Sequence, residues 1–113
     1  MQHPGKSLAE FQEFHRWLDK EKGFGSDLVR NTLYLQTEMG ELAKEVLRYQ
    51  WRMEELGPDD PSVAEARAEI GYELADCLAY LLKLANYTGH DLQQVYTDKM
   101  IKNIDRIWEV RRS

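Results

Sequence analysis

The chain has 113 residues, of which 42% are hydrophobic and 31% charged, and a formal net charge of -5. That size suits one domain, expected over 1–113, with a modest core, and the composition excludes a disordered or collagen-like chain. The acidic balance argues against binding a nucleic-acid polymer, which needs a basic face, and no apolar run approaches the ~20 residues that span a bilayer. Segment 1–6 lacks the apolar centre of a secretory signal. A single cysteine, Cys77, cannot form an internal disulfide, so the expectation is a reducing, cytoplasmic setting.

The elements follow in order. Ser7-Leu8-Ala9-Glu10 has the form of a capping box, and Phe11, Phe14, Trp17 and Leu18 then recur at helical spacing up to about Lys22. Gly23-Phe24-Gly25 stops this helix, and His15 lies beside its apolar face. A second helix starts at Ser26 or Asp27, both good N-caps, and runs to about Glu54. Leu28, Leu35, Met39, Leu42, Val46, Tyr49 and Met53 form its apolar stripe, with Glu38, Glu41 and Glu45 along one flank. Lys44 and Glu45 look like exposed charge decoration. Trp51 reads as core or interface.

Gly57-Pro58-Asp59-Asp60-Pro61 is turn chemistry, with Pro61 suited to the first helical position and Asp60 or Ser62 to the cap. The third helix is expected to reach about Tyr87, burying Val63, Ile70, Leu74, Leu78, Leu81 and Ala85. Glu69, Glu73, Asp76 and Tyr80 stack along its flank. Gly89 ends it. Asp91 and Gln94 open a fourth helix packed through Val95, Tyr96, Met100, Ile104 and Trp108, with Lys99, Asn103 and Arg106 on one face. The reading is all-α.

Residues three apart on a helix are surface neighbours. Glu38-Met39-Gly40-Glu41 and Glu73-Leu74-Ala75-Asp76 therefore each aim two carboxylates one way, and a hairpin could gather all four. Such pairs, taken singly, usually decorate a solvated face. Two of them bordering apolar stripes on consecutive helices build in a repulsion that a hard cation such as Mg²⁺ would relieve. There is no Gly-rich phosphate loop, and the three histidines lack zinc-site spacing. Cys77, next to the buried stripe, reads as a structural thiol.

The order E-x-x-E, loop, E-x-x-D, then Lys99-Met100-Ile101-Lys102-Asn103, resembles the MazG-like nucleotide pyrophosphohydrolases. Thr37-Glu38-Met39-Gly40-Glu41-Leu42-Ala43 and Tyr72-Glu73-Leu74-Ala75-Asp76-Cys77 carry the likeness, which covers roughly Asp27 to Arg106. Within the family it is strongest to the small dCTP pyrophosphatase-like branch, through the Gly-Glu-Leu-Ala run and Trp51. The resemblance implies a four-to-five-helix bundle completed by oligomerisation, as a homodimer or homotetramer. It also implies hydrolysis of a (deoxy)nucleoside triphosphate at the α-β phosphoanhydride, in a house-cleaning role.

By the same resemblance Glu38, Glu41, Glu73 and Asp76 hold Mg²⁺, with Mn²⁺ able to substitute. Lys99 and Asn103 contact phosphates, Tyr80 lies near the sugar, and His15, Phe24 and Trp51 are candidates for the base pocket. One glutamate must accept the proton of the attacking water; Glu41 is favoured, though spacing does not separate it from Glu38. The chain departs from many relatives in carrying Thr37 and Tyr72 where a second acid would stand, which leaves the number of metals open. Two rival readings are a phosphoribosyl-ATP pyrophosphohydrolase-like enzyme and a non-catalytic helical dimerisation module. A redox di-metal bundle would want Glu-x-x-His ligands, which the sequence lacks.

Overall fold

A computed structural model describes residues 3–112, with side chains up to Arg106. Four helices follow one another: α1 (Leu8–Lys22), α2 (Leu28–Leu56), α3 (Pro61–Tyr87) and α4 (Leu92–Arg112). No strand occurs among the described residues, and none of their helices is long and apolar enough to cross a membrane. The fold is all-α, as the periodicity implied.

The helix ends are chemically explicit. Ser7 takes an extended conformation and its side chain accepts from the Glu10 amide, while Gly23, at φ 68°, supplies the left-handed C-cap that other residues resist. Asp27 resolves the choice of cap for α2 by accepting from the Arg30 amide at 2.6 Å. Asp60 does so for α3: one carboxylate oxygen accepts from the Ser62 amide at 2.9 Å and hydroxyl at 2.6 Å. These bonds hold the Asp60 carboxyl below its ordinary range. At α4, Asp91 accepts from the Gln94 amide.

The chain divides into two compact units: Ser26–Leu81, and the flanking segments up to Gly25 and from Leu82 onward. In the first, α2 and the first twenty-odd residues of α3 form an antiparallel hairpin. Tyr34 stands against Tyr80, their ring centroids 5.9 Å apart. Near the turn, Arg52 Nη1 donates to the Ser62 carbonyl at 2.8 Å. Val63, Ala66 and Cys77 are its buried apolar residues.

The second unit holds α1, the last residues of α3, and α4, with α1 packed on α4. Leu82 and Ala85 are buried there. Gln12, only 2% exposed, ties the unit together. Its Nε2 donates to Asn86 Oδ1 and to the His90 carbonyl, both at 2.8 Å, and its Oε1 accepts from the Leu92 amide, also at 2.8 Å. Asn86 Nδ2 returns a bond to the Gln12 carbonyl. A buried glutamine thus satisfies an orphan donor at the start of α4.

Four expectations about burial need correction. On α3, Leu74 and Leu81 are exposed, while Ala66, Cys77 and Leu82 are buried instead. Apolar residues occur on several faces of this helix, so periodicity alone chose the wrong edge of the stripe. On α2, Leu28, Met39 and Val46 are exposed, as are Val95, Tyr96 and Ile104 on α4; the Trp108 side chain lies outside the described residues. Glu45 is not surface decoration: it is 7% exposed and bonded through both oxygens to Arg48 Nη1, at 3.1 and 3.3 Å. The guanidinium compensates the desolvated carboxylate.

Candidate metal centre

The hairpin fixes which acids meet. Glu38 on α2 and Glu73 and Asp76 on α3 each offer a carboxylate oxygen, and these atoms lie within 4.8 Å of one another. Glu38 and Glu73 are half-buried and Asp76 is exposed, so the cluster opens to solvent on one side. Glu41, one turn along α2, is exposed and stands outside this group, although its charge reaches Glu73.

Electrostatic crowding shows most clearly at Glu73. Desolvation first, then a hydrogen bond shared with Glu38 and the charges of Glu38, Asp76 and Glu41, push its carboxyl above the usual range. Its Oε2 is buried and has no hydrogen-bond partner. A buried acceptor left unsatisfied is costly. Three hard oxygen donors within reach of one point, one of them an orphan, fit a divalent cation.

Tyr80 completes the inner wall. Its hydroxyl is pushed up by desolvation, then by the charges of Glu38, Tyr34 and Asp76, so it stays a neutral donor. Sequence reading missed Tyr34, which pairs with Tyr80; its position four residues before Glu38, on the same helical face, was the available signal. Cys77 is buried, and desolvation, then Glu38, Glu73 and Asp76, push its thiol up. That environment keeps it protonated and unreactive. One turn beyond Glu41, Glu45 lines a cavity of about 320 Å³ with Arg48, Arg52, Glu65 and Glu69.

The other nominated residues fall as follows. Trp51 is 57% exposed near the end of α2. Lys99 is exposed on α4, and Asn103, one turn on, is half-buried with its amide against Met100 Sδ at 3.9 Å. His15 on α1 is half-buried, edge-on to Phe14 with centroids 5.4 Å apart. Burial holds its imidazole below the ordinary 6.5, with Asp19 opposing and Lys83 adding to that shift. Phe24 follows α1 and is 51% exposed.

Fold and site together define a helical protein in which carboxylates from two paired helices converge on one point, a set of oxygen donors of the kind that suits a hard cation. The chain belongs to the MazG nucleotide pyrophosphohydrolase domain family, whose model matches residues 27–110. That membership places its chemistry among the nucleotide pyrophosphohydrolases. No curated protein matches the sequence.

Proposed function

We propose that the protein is a Mg²⁺-dependent hydrolase that cleaves a (deoxy)nucleoside triphosphate between its α and β phosphates, releasing monophosphate and pyrophosphate. A cytoplasmic house-cleaning role toward a dCTP-type or modified nucleotide is the setting we favour. The observation that carries the metal assignment is the unsatisfied Glu73 Oε2 within the Glu38, Glu73 and Asp76 cluster. A cation bound there would neutralise polyphosphate charge and make water a better nucleophile.

The chain's own groups divide the remaining work. Glu38, Glu73 and Asp76 hold the charge balance, and Glu41, exposed beside them, is free to accept a proton from the attacking water. Glu41 also joins the metal set if it turns inward. Tyr80 offers a neutral hydroxyl to the sugar. The family resemblance assigns Lys99 and Asn103 to the phosphates, where the lysine would offset charge building on the leaving group. It assigns His15, Phe24 and Trp51 to the base.

A homo-oligomer is part of the proposal. Leu33, Leu47, Trp51 and Tyr72 are among the large apolar residues exposed on the hairpin, more than a solitary soluble unit needs. Gly40 and Gly71 lie inside helices with open space where a Cβ would project. A solitary hairpin would gain up to about 1 kcal/mol from alanine at each. Loss of assembly in the Gly40→Ala protein, read by sedimentation, would support close approach of a second copy there; a stabilised protein of unchanged mass would argue for a monomer.

Pyrophosphate release from a panel of ribo- and deoxyribonucleoside triphosphates, with and without Mg²⁺, tests the activity. Metal-dependent release from one substrate, lost in Glu73→Gln, is the expected result and names the base. No release from any of them, with Mg²⁺ leaving the melting temperature unmoved, would favour a non-catalytic helical module.

A further inference from the structure

Side-chain contacts join the two helices of the hairpin at both of its ends. Beside the loop, Arg52 Nη1 donates to the Ser62 carbonyl. About five helical turns away along each helix, Tyr34 and Tyr80 meet, their ring centroids 5.9 Å apart and their planes tilted by 52°. Glu38 follows Tyr34 by four residues and Asp76 precedes Tyr80 by four, so each acid lies one turn inside the aromatic pair, on the same face.

Paired helices have no ladder of backbone bonds between them, so interlocked side chains must set their register. Here the interlock is thin. Among the described residues no apolar side chain of α2 is buried. Of the buried apolar residues that α3 brings to the hairpin, Val63 and Ala66 lie near the loop, which leaves Cys77 beside the acids. The carboxylates cannot supply the missing grip, because Glu38, Glu73 and Asp76 stand close together and repel.

The tyrosine pair supplies it. An aromatic pair has a preferred geometry as well as a buried area, which suits it to setting a distance, and Tyr34 is 45% exposed, so burial is the smaller part of its contribution. Desolvation first, then the charges of Glu38, Tyr34 and Asp76, raise the Tyr80 phenol, which puts the pair against the acids. We propose that Tyr34 is a positioning residue for the metal centre: packed on Tyr80, it fixes the register of α2 on α3 so that Glu38 faces Glu73 and Asp76 across one cation. A slip of one turn, about 5.4 Å, would exceed the 4.8 Å within which the three oxygens gather. The proposal rests on the metal reading of the hairpin and is independent of which nucleotide is cleaved.

The test is Mn²⁺ binding to the full chain, followed by loss of the free ion's paramagnetic resonance signal, with urea unfolding of the metal-free proteins alongside. Tyr34→Ala should weaken Mn²⁺ binding roughly tenfold, the lower end of what losing an outer partner of a metal ligand costs. Tyr80→Ala should weaken it at least as much. The double variant should be no worse than Tyr80→Ala alone, because the two rings act as one unit. Tyr34→Phe keeps the ring and should bind like the wild type. Val63→Ala removes buried bulk near the loop; it should lower stability and leave Mn²⁺ affinity in place.

Should Tyr34→Ala not fold, Tyr34→Leu, which keeps apolar bulk without a flat ring, serves in its place. Unchanged affinity in that variant, an equal loss in Tyr34→Phe or in Val63→Ala, or additive losses in the cycle would overturn the proposal while leaving the metal site standing. A wild type that takes up no Mn²⁺ would overturn the metal reading and this one with it, a failure visible before any variant is made.

Discussion

The two units treat buried polar groups in opposite ways. In the unit built on α1 and α4, Gln12 is satisfied by Asn86, His90 and Leu92, and the charge of Asp19, whose Oδ1 makes no hydrogen bond, is neutralised by Lys83 while Tyr87 donates to its other oxygen. In the hairpin, Glu38, Glu73 and Asp76 crowd together and Glu73 Oε2 has no partner. Paired polar groups specify packing, whereas repelling, unpaired ones mark a place the fold holds open for something else. Substitutions in the two networks should therefore move stability and activity in different directions.

The largest effect is expected in the hairpin. Glu38→Gln and Asp76→Asn should each lower turnover by more than about a hundredfold, beyond what the outer partners of a metal usually cost. Removing one negative charge should also raise the metal-free melting temperature slightly, since like-charge contacts cost a few tenths of a kcal/mol. Steady-state pyrophosphate release and thermal melts on the same samples check both signs. A drop in melting temperature alongside lost activity would mean that these acids are structural, and the contrast between the units would fail.

Gln12→Ala probes the other side. It strips partners from the Leu92 amide, Asn86 and the His90 carbonyl at once, and should cost about 2–3 kcal/mol in urea unfolding. A cost below about half a kcal/mol would show that water replaces the amide without penalty. Gly23→Ala comes next, at roughly 1 kcal/mol, because its φ of 68° penalises a side chain. Open space around its Cβ position leaves backbone strain as the whole effect.

The smallest effect belongs to His15, and its sign follows from linkage. Burial holds the folded imidazole below the 6.5 of the unfolded chain. Its contribution to stability is therefore complete above pH 6.5 and declines as pH falls, because the unfolded chain takes up the proton first. Below the folded value it is gone. His15→Asn should flatten the fall in melting temperature between about pH 7.5 and pH 5; an equally steep fall would place the titrating group elsewhere.

The residues by themselves determined the helices and their limits, because caps are local chemistry. Ser7 with Glu10, Gly23, Pro61 after Asp60, and Asp91 with Gln94 each act within one turn of chain. Helical spacing likewise put Glu38 with Glu41, and Glu73 with Asp76, on common faces, and the order of the acidic motifs carried the family. What spacing could not decide was which face of each helix is covered. Leu74 and Leu81 lie exposed while Cys77 and Leu82 are buried, since α3 is apolar on more than one side. Tertiary structure alone buried Glu45 beside Arg48, chose Glu38 rather than Glu41 to meet Glu73 and Asp76, and brought Lys83 to Asp19. Apart from Glu45 and Arg48, three residues apart on α2, these meetings join residues distant in sequence, and all their energies depend on desolvation, which exists only once the chain has folded around them.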